Sequence, residues 1–213
     1  SDISTEAIIA FESEEVTGSF FEDSEVLQEQ ITLQVQNKYI VSKIKSGIVV
    51  IHQNRAHERI LYEEFLQHIT INQAVSQQLL FPVTVSITKD ELTYFNSVKD
   101  VLENTGFAFS KVSDEVLEVS GIPAAIEDCK ASIIINDLLS SMSNNTEIDE
   151  LHANIVAKSM AQSIAIKSGK SLTTAEQEDI VNRLFACKEP TVSPINKAIF
   201  ITYSTNDFDK KLL

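Results

Sequence analysis

The chain has 213 residues, of which 43% are hydrophobic and 23% charged, and its formal net charge is −14. This length suits one large domain or two small lobes, and the composition excludes a disordered or collagen-like chain. No apolar run reaches the roughly 18 residues that a membrane span needs, and no leader pattern opens the chain. Two cysteines, Cys129 and Cys187, are too few for a disulfide scaffold, so we expect a reduced, cytoplasmic protein that contacts no membrane.

The acidic excess is concentrated at the start of the sequence, where the first basic residue is Lys38. The nine acids before residue 30 are Asp2, Glu6, Glu12, Glu14, Glu15, Glu22, Asp23, Glu25 and Glu29. Residues 1–28 show no sustained periodicity, and we interpret them as an acidic linker. The remaining chain is mildly acidic and has no cluster of basic residues, so strong DNA binding by this chain alone is not expected.

Apolar spacing in the next part of the chain predicts three strands and then a helix. The strands are expected at 30–36, 39–44 and 47–51, and the third is apolar on both faces, as in a fully buried strand. Asn54 is expected to cap a helix over about 55–67. A turn-rich segment at 68–78 follows.

The middle of the chain predicts a β-α-β-β-α unit over 83–141. A strand begins at Val83, and Thr88 with Glu91 forms a capping box for a helix near 89–103. Two short strands form a hairpin, and Pro123 is expected to begin a helix to about 141.

The last part of the chain is expected to contain three helices and a strand. The predicted helices are at 147–168 and 174–187, followed by a strand at 198–203 and a short helix after Ser204. The pattern as a whole indicates an α+β protein without internal repeats.

A polar segment from His52 to Glu64 follows the third predicted strand. It contains residue types that bind divalent metals, namely His52, His57, Glu58, Glu63 and Glu64. The zinc-protease pattern His-Glu-x-x-His is absent, because Leu61 stands four residues after His57. Glu58 and Glu63 lie about 140° apart around a helix and need not share a face. Taken alone, the segment favours a solvated helix N-terminus over a metal site.

The same segment resembles Asp-Gln-His-Ala-Ala-His-Glu-Arg-x-x-Tyr-Glu, a motif in the C-terminal domain of MutL DNA mismatch repair proteins. The matching residues include Gln53, Ala56, His57, Glu58, Arg59, Tyr62 and Glu63. Two later stretches, 161–168 and 192–205, resemble further motifs of that domain in the same order. The resemblance covers roughly residues 29–213.

Many members of that family nick DNA with metal ions held by Asp, His, Glu and Cys ligands. The positions that have lost the family's ligand hold His52, Asn54, Gln162, Ser193 and Ile195, and Lys197 replaces a family arginine. The resemblance therefore implies a non-nicking member with no catalytic residue, no metal and no cofactor. In that interpretation, the remnant of the endonuclease motif is His52, Gln53, Asn54, His57, Glu58 and Glu63.

A second motif, Gln77-Gln78-Leu79-Leu80-Phe81-Pro82, resembles the peptide that docks into the replication sliding clamp. A glutamine amide and apolar anchors before a rigid proline can fill a hydrophobic groove. The clamp-binding hypothesis names Gln77, Leu79, Leu80 and Pro82. In the alternative, Leu79 and Leu80 simply begin a core strand.

The resemblance implies a two-lobe α+β domain. A discontinuous dimerisation lobe would join 29–80 with 142–213, and a regulatory β-α-β-β-α lobe at 81–141 would be inserted. We expect a homodimeric, non-catalytic scaffold whose interface lies in the first lobe. The implied partners are a MutS-like mismatch recognition protein, the sliding clamp and a separate nuclease or helicase, with DNA contacted only in the full-length protein.

Two other functions remain open at this stage. One is a metal-dependent DNA-nicking endonuclease with a rearranged site, built from the histidines and acids of the 52–64 segment. The other is a regulatory module that binds a small ligand, and no motif in the sequence supports it.

Overall fold

The computed structural model of the chain describes residues 31–71, 74–124, 126, 131–143 and 152–213. Its strands are β1 (Thr32–Val35), β2 (Tyr39–Ile44), β3 (Gly47–His52), β4 (Ser76–Ser86), β5 (Ala108–Val112), β6 (Val116–Pro123) and β7 (Phe200–Ser204). Its helices are α1 (Gln53–Ile71), α2 (Lys89–Asn104), α3 (Ala131–Ser143), α4 (His152–Ile164), α5 (Thr174–Ala186) and α6 (Thr205–Leu212). The predicted linker at 1–28 and Cys129 lie outside the described residues.

The first sheet is antiparallel and has the strand order β1-β2-β3-β7. Alternate residues of β2 and β3 point to one side, where they pack on the first half of α1 and on α5. The buried residues of this first core include Ile40, Ile44, Val49, Ile51, Ile60, Ile180 and Leu184. The α+β class expected from the sequence is confirmed.

The second sheet has the order β4-β6-β5, and α2, α3 and α4 contribute to the same core as its strands. Its core is larger, and its fully buried members include Phe95, Leu102, Leu117, Ile122, Ile135, Leu138 and Met160. Strand β4 carries a bulge, because the pairing with β6 shifts register between Gln78 and Val83. The predicted β-α-β-β-α order is observed as β4, α2, β5, β6 and α3.

Helix α1 joins the two cores, because its early residues Ala56 and Ile60 lie in the first and its later residues Leu61 and Phe65 lie in the second. The predicted boundary between residues 80 and 81 falls inside the single strand β4. Helix α4 packs in the second core, although it was assigned to the first lobe. The division into two lobes stays a prediction.

Local capping signals identified helix starts well. The capping boxes of Thr88 with Glu91, Thr173 with Glu176 and Ser204 with Asp207 all form. Side-chain oxygens there accept from backbone N–H groups that a helix start leaves without partners.

Two predicted helix starts are wrong. Asn54 is the second residue of α1, and its amide donates to the Ile166 carbonyl at 2.9 Å, so it caps nothing. Pro123 ends strand β6, where it pairs with Ser76, and α3 begins later at Ala131. A proline is tolerated at such a strand end because a missing N–H costs little there.

Among the described residues, the helices are all too short or too polar to cross a membrane.

Candidate functional site

The segment from His52 to Glu64 runs from the end of β3 into the first three turns of α1. It is not a solvated helix end, contrary to the expectation from its polar sequence. Gln53 is fully buried, and Glu58 and Arg59 are only 5% and 4% exposed. Buried polar side chains must find partners or lose free energy.

Three residues of this segment hold the loop that follows α4. The Gln53 amide donates to the carbonyls of Asn37 at 2.8 Å and Lys170 at 3.2 Å. The Asn54 amide donates to the Ile166 carbonyl, and His57 Nδ1 accepts from the Ile166 N–H at 3.0 Å. These motif residues therefore act as structural links between α1 and the 165–170 loop.

The two histidines of this segment, His52 and His57, have lowered pKa values and are therefore neutral at neutral pH. Burial, with Arg183 and Lys170 nearby, lowers the pKa of His57 to about 4. Burial also lowers the pKa of His52, with smaller contributions from Arg55 and Lys38. His57 Nδ1 is already occupied by a backbone N–H, so only its Nε2 remains for another contact.

Glu58 is a buried carboxylate that faces an amide and cationic side chains. Gln162 of α4 hydrogen-bonds to it, and Lys167, Lys197 and Arg55 add positive charge. Its Oε1 has no hydrogen-bond partner in the described structure. Burial outweighs these contacts and raises the pKa of Glu58 above its ordinary value.

The other two acids of the segment have different partners. Glu63 accepts hydrogen bonds from the N–H groups of Lys188 at 2.7 Å and Glu189 at 3.1 Å. Glu64 pairs with Arg183 at 2.6 Å. Within the described ranges, no three His, Cys, Asp or Glu side chains come together as a metal would require.

Ser193 occupies the position where the resembling family has a cysteine. It is fully buried, and its Oγ accepts from the N–H groups of Lys197 at 3.2 Å and Ile195 at 3.4 Å. The Lys197 carbonyl in turn accepts from the Ser193 N–H at 2.8 Å. Ser193 thus closes a tight turn, which places Lys197 near Glu58.

Cys187 lies at the C-terminal end of α5, and its thiol donates to the Arg183 carbonyl at 3.4 Å. Burial, with the neighbouring Glu63 carboxylate, raises the pKa of Cys187 to about 12. The thiolate needed for reactivity is therefore scarce at neutral pH.

The sheet of β1, β2, β3 and β7 has a second face that sequence analysis did not single out, here called the outer face. Its central row pairs Leu33, Val41, Val50 and Ile201 across the four strands. Leu33 is 62% exposed and Ile201 51% exposed. The continuous apolar run of β3 predicted burial on both faces, but the chain fully buries only Val49 and Ile51. The sequence held one signal for this face: β3 is apolar on both sides, which is typical of a strand that is covered on both sides.

The motif with Gln77, Leu79, Leu80 and Pro82 spans the bulge of β4: Gln77 still pairs with Ile122 of β6, and the other three lie within the bulge. Leu80 and Phe81 are 86% and 78% exposed, whereas Leu79 packs partly against the second core. The bulge thus presents two large apolar side chains to solvent, which is unusual for a strand.

Comparison with known proteins gives one family. The sequence profile of the MutL C terminal dimerisation domain matches residues 32–172. The chain is 49% identical over 204 residues to a protein named DNA mismatch repair protein MutL from Christiangramia forsetii, covering 95% of this chain and 33% of that protein. It is 48% identical to the protein of that name from Flavobacterium psychrophilum, with 95% and 33% covered. Identity to the one from Parabacteroides distasonis is 31%, with 84% and 29% covered. The chain spans about a third of the length of these relatives.

Proposed function

The chain belongs to the family of MutL C-terminal dimerisation domains, and on that premise we propose that it joins two copies of a mismatch repair protein as a non-catalytic scaffold. The observation that carries the proposal is the outer face of the first sheet. Its apolar row is open to solvent in the single chain, although β3 has the sequence of a strand covered on both sides.

A second copy of the chain is the proposed cover of the outer face. Leu33 and Ile201 lie on the two edge strands, and Val41 and Val50 lie between them. A two-fold dimer can therefore set two such rows against each other, with the same patch on both sides. Lasting interfaces bury about 800 Å² on each partner around an apolar centre.

The scaffold role follows from linkage. In the relatives, about two thirds of the sequence lies outside the matched part. When two chains are joined at one end, contacts between their other parts become intramolecular, with effective concentrations that reach the millimolar range for flexible linkers. In this proposal, the parts of the two proteins outside this domain would then close around DNA with a partner already in place.

The surroundings of Glu58 support the non-catalytic part of the proposal. A two-metal nuclease site needs several anionic or soft ligands that converge on the cations. Glu58 instead faces the Gln162 amide and the charges of Lys167 and Lys197. A divalent cation entering there would meet electrostatic repulsion and lack a second carboxylate.

Clamp binding is proposed for the β4 bulge. The sequence motif gives Gln77, Leu79, Leu80 and Pro82 as the contact residues, and we add Phe81 because it is exposed beside Leu80. Affinity in isolation should be weak, because a short peptide loses conformational freedom on docking. The other proposed partners are a MutS-like protein and a separate nuclease or helicase. We propose no binding surface for them on this chain.

The rival function is an endonuclease with a rearranged metal site. Supercoiled-plasmid nicking with added manganese separates the two functions, and so does zinc analysis of the purified chain. Sedimentation at tens of micromolar tests the scaffold, since a chain that remains monomeric there would exclude it.

A further inference from the structure

A cleft of about 200 Å³ lies at one end of the outer face, where β2 begins and β3 ends. Its floor is apolar and includes Val50 and Ile201. Its rim carries the cationic side chains of Lys38 and Arg55, with His52 beside them. None of these three side chains has a role in the proposed clamp contact.

Two cationic side chains line this cleft, and each makes one contact. The Lys38 ammonium lies 5.1 Å from the centre of the Tyr39 ring, and Arg55 donates from one guanidinium nitrogen to the Ala198 carbonyl at 2.7 Å. Within the described residues, no carboxylate lies within 4.0 Å of either cation, unlike Arg59 and Arg183, which are paired with acids. Other lysines are also unpaired on the surface, but these two cations converge on a concave site.

His52 adds a hydrogen-bond donor to the same cleft. Its Nδ1 accepts a long 3.5 Å contact from the Arg55 N–H, so the proton of the neutral ring belongs on Nε2. Both Arg55 and Lys38 are close enough to act electrostatically on the ring. The cleft thus combines a guanidinium, an ammonium and a neutral N–H donor.

We propose that this cleft binds a phosphate group through Lys38, Arg55 and His52. A planar guanidinium and a point-like ammonium are the side chains that bind phosphate oxygens best, and a neutral imidazole N–H can donate to a third oxygen. The phosphate comes either from free inorganic phosphate or from a DNA backbone. One such contact positions a strand but supplies little affinity, which agrees with the acidic character of the chain.

The primary test is titration of the chain with inorganic phosphate at constant ionic strength, followed by NMR of the His52 ring. We expect saturable shifts of the ring signals. Lys38→Gln should weaken binding at least tenfold, and Arg55→Lys, which keeps the charge but loses the planar fork, should weaken it by a smaller factor. Lys43→Gln is the matched control, since it removes one charge from the far end of β2, the strand that follows Lys38.

A parallel arm uses a 20-base-pair DNA duplex, and it distinguishes the two phosphate sources. If the duplex shifts His52, the slope of log affinity against log salt should fall by about one in Lys38→Gln, as expected for one lost phosphate contact. A response to inorganic phosphate without a response to the duplex assigns the cleft to free phosphate.

Two results overturn the proposal. One is the absence of His52 shifts up to 50 mM phosphate in the folded chain, or equal shifts in Lys38→Gln and Lys43→Gln. The other is dissociation of the dimer by Lys38→Gln with phosphate binding unchanged, because the cations would then pair with carboxylates of a second copy. The cleft shares Val50 and Ile201 with the outer face, so a second copy would cover part of its floor. The titration is therefore read at a concentration where the chain is monomeric, and there its outcome does not depend on the dimer proposal.

Discussion

The side-chain amide of Gln34 in β1 donates a 2.7 Å hydrogen bond to the side-chain oxygen of Gln53 in α1. The side-chain amide of Gln53 in turn donates hydrogen bonds to the carbonyls of Asn37 and Lys170. One buried side chain therefore ties the edge strand β1, the β1–β2 turn and the loop before α5 to the start of α1. Since β1 carries one end of the outer face, the position of that face depends on this contact.

Gln53→Ala should destabilise the chain by about 2–4 kcal/mol, because it leaves several buried polar groups without partners. The change should appear as a lower urea midpoint with an unchanged slope. Gln67→Ala is the control on the same helix, where the side chain is exposed and the expected change is within about 0.5 kcal/mol. Equal stability of the two variants would contradict the structural role of Gln53.

Glu58→Gln should make the folded chain more stable at neutral pH. The pKa of Glu58 is raised in the folded state, chiefly by burial, so its charged form disfavours folding. The stability difference between variant and parent should be constant above the folded pKa and should shrink as pH falls through it. Urea unfolding of both chains between pH 4 and pH 8 measures this difference, and a less stable variant at neutral pH would refute the prediction.

Leu80→Ala with Phe81→Ala should remove clamp association and leave stability nearly unchanged, because both side chains are exposed. Cross-linking to the sliding clamp on DNA measures association, and thermal unfolding measures stability. Leu79→Ala is the informative comparison, since Leu79 packs partly on the second core and its truncation should lower the melting temperature. Undiminished cross-linking by the folded double variant would show that the bulge is not the clamp site.

Zinc and manganese should not bind stoichiometrically near Glu58, since the amide of Gln162 hydrogen-bonds to it and Lys167 and Lys197 add positive charge nearby. Elemental analysis after dialysis with each metal gives the measurement. The account would be wrong if the chain retained close to one zinc and Glu58→Ala abolished that binding.

Local sequence signals predicted much of the fold, and long-range contacts account for most of the errors. Capping boxes such as Thr88 with Glu91 depend on residues three apart, so their helices begin where expected. Asn54 looked like a cap, but it bonds to Ile166, which lies 112 positions away. Glu58 looked solvated because nothing nearby in sequence covers it; α4 and the 193–197 turn bring in Gln162 and Lys197.

Only part of the candidate site was predicted from the sequence, because long-range contacts determine the rest. The motif residues Gln53 and His57 were identified by their resemblance to a family, and their role in holding a loop required the structure. The clamp motif was identified from the sequence, and the structure was needed to show that it spans a bulge of β4 with Leu80 and Phe81 exposed. The outer face was not expected, because the alternation in β1 and the apolar run of β3 do not tell which side lacks a covering helix.

The measurement that tests the central claim most directly is the mass of the chain in solution at about 10 µM, compared between the parent and Ile201→Glu. We predict twice the 23.7 kDa chain mass for the parent and a single chain mass for Ile201→Glu, because a charge in the apolar row of the outer face would be buried in the dimer. Ile133→Glu is the matched control, since Ile133 is 58% exposed on α3 in the other half of the fold, and it should remain dimeric. A monomeric parent, or an Ile201→Glu variant that stays fully dimeric, would contradict the account.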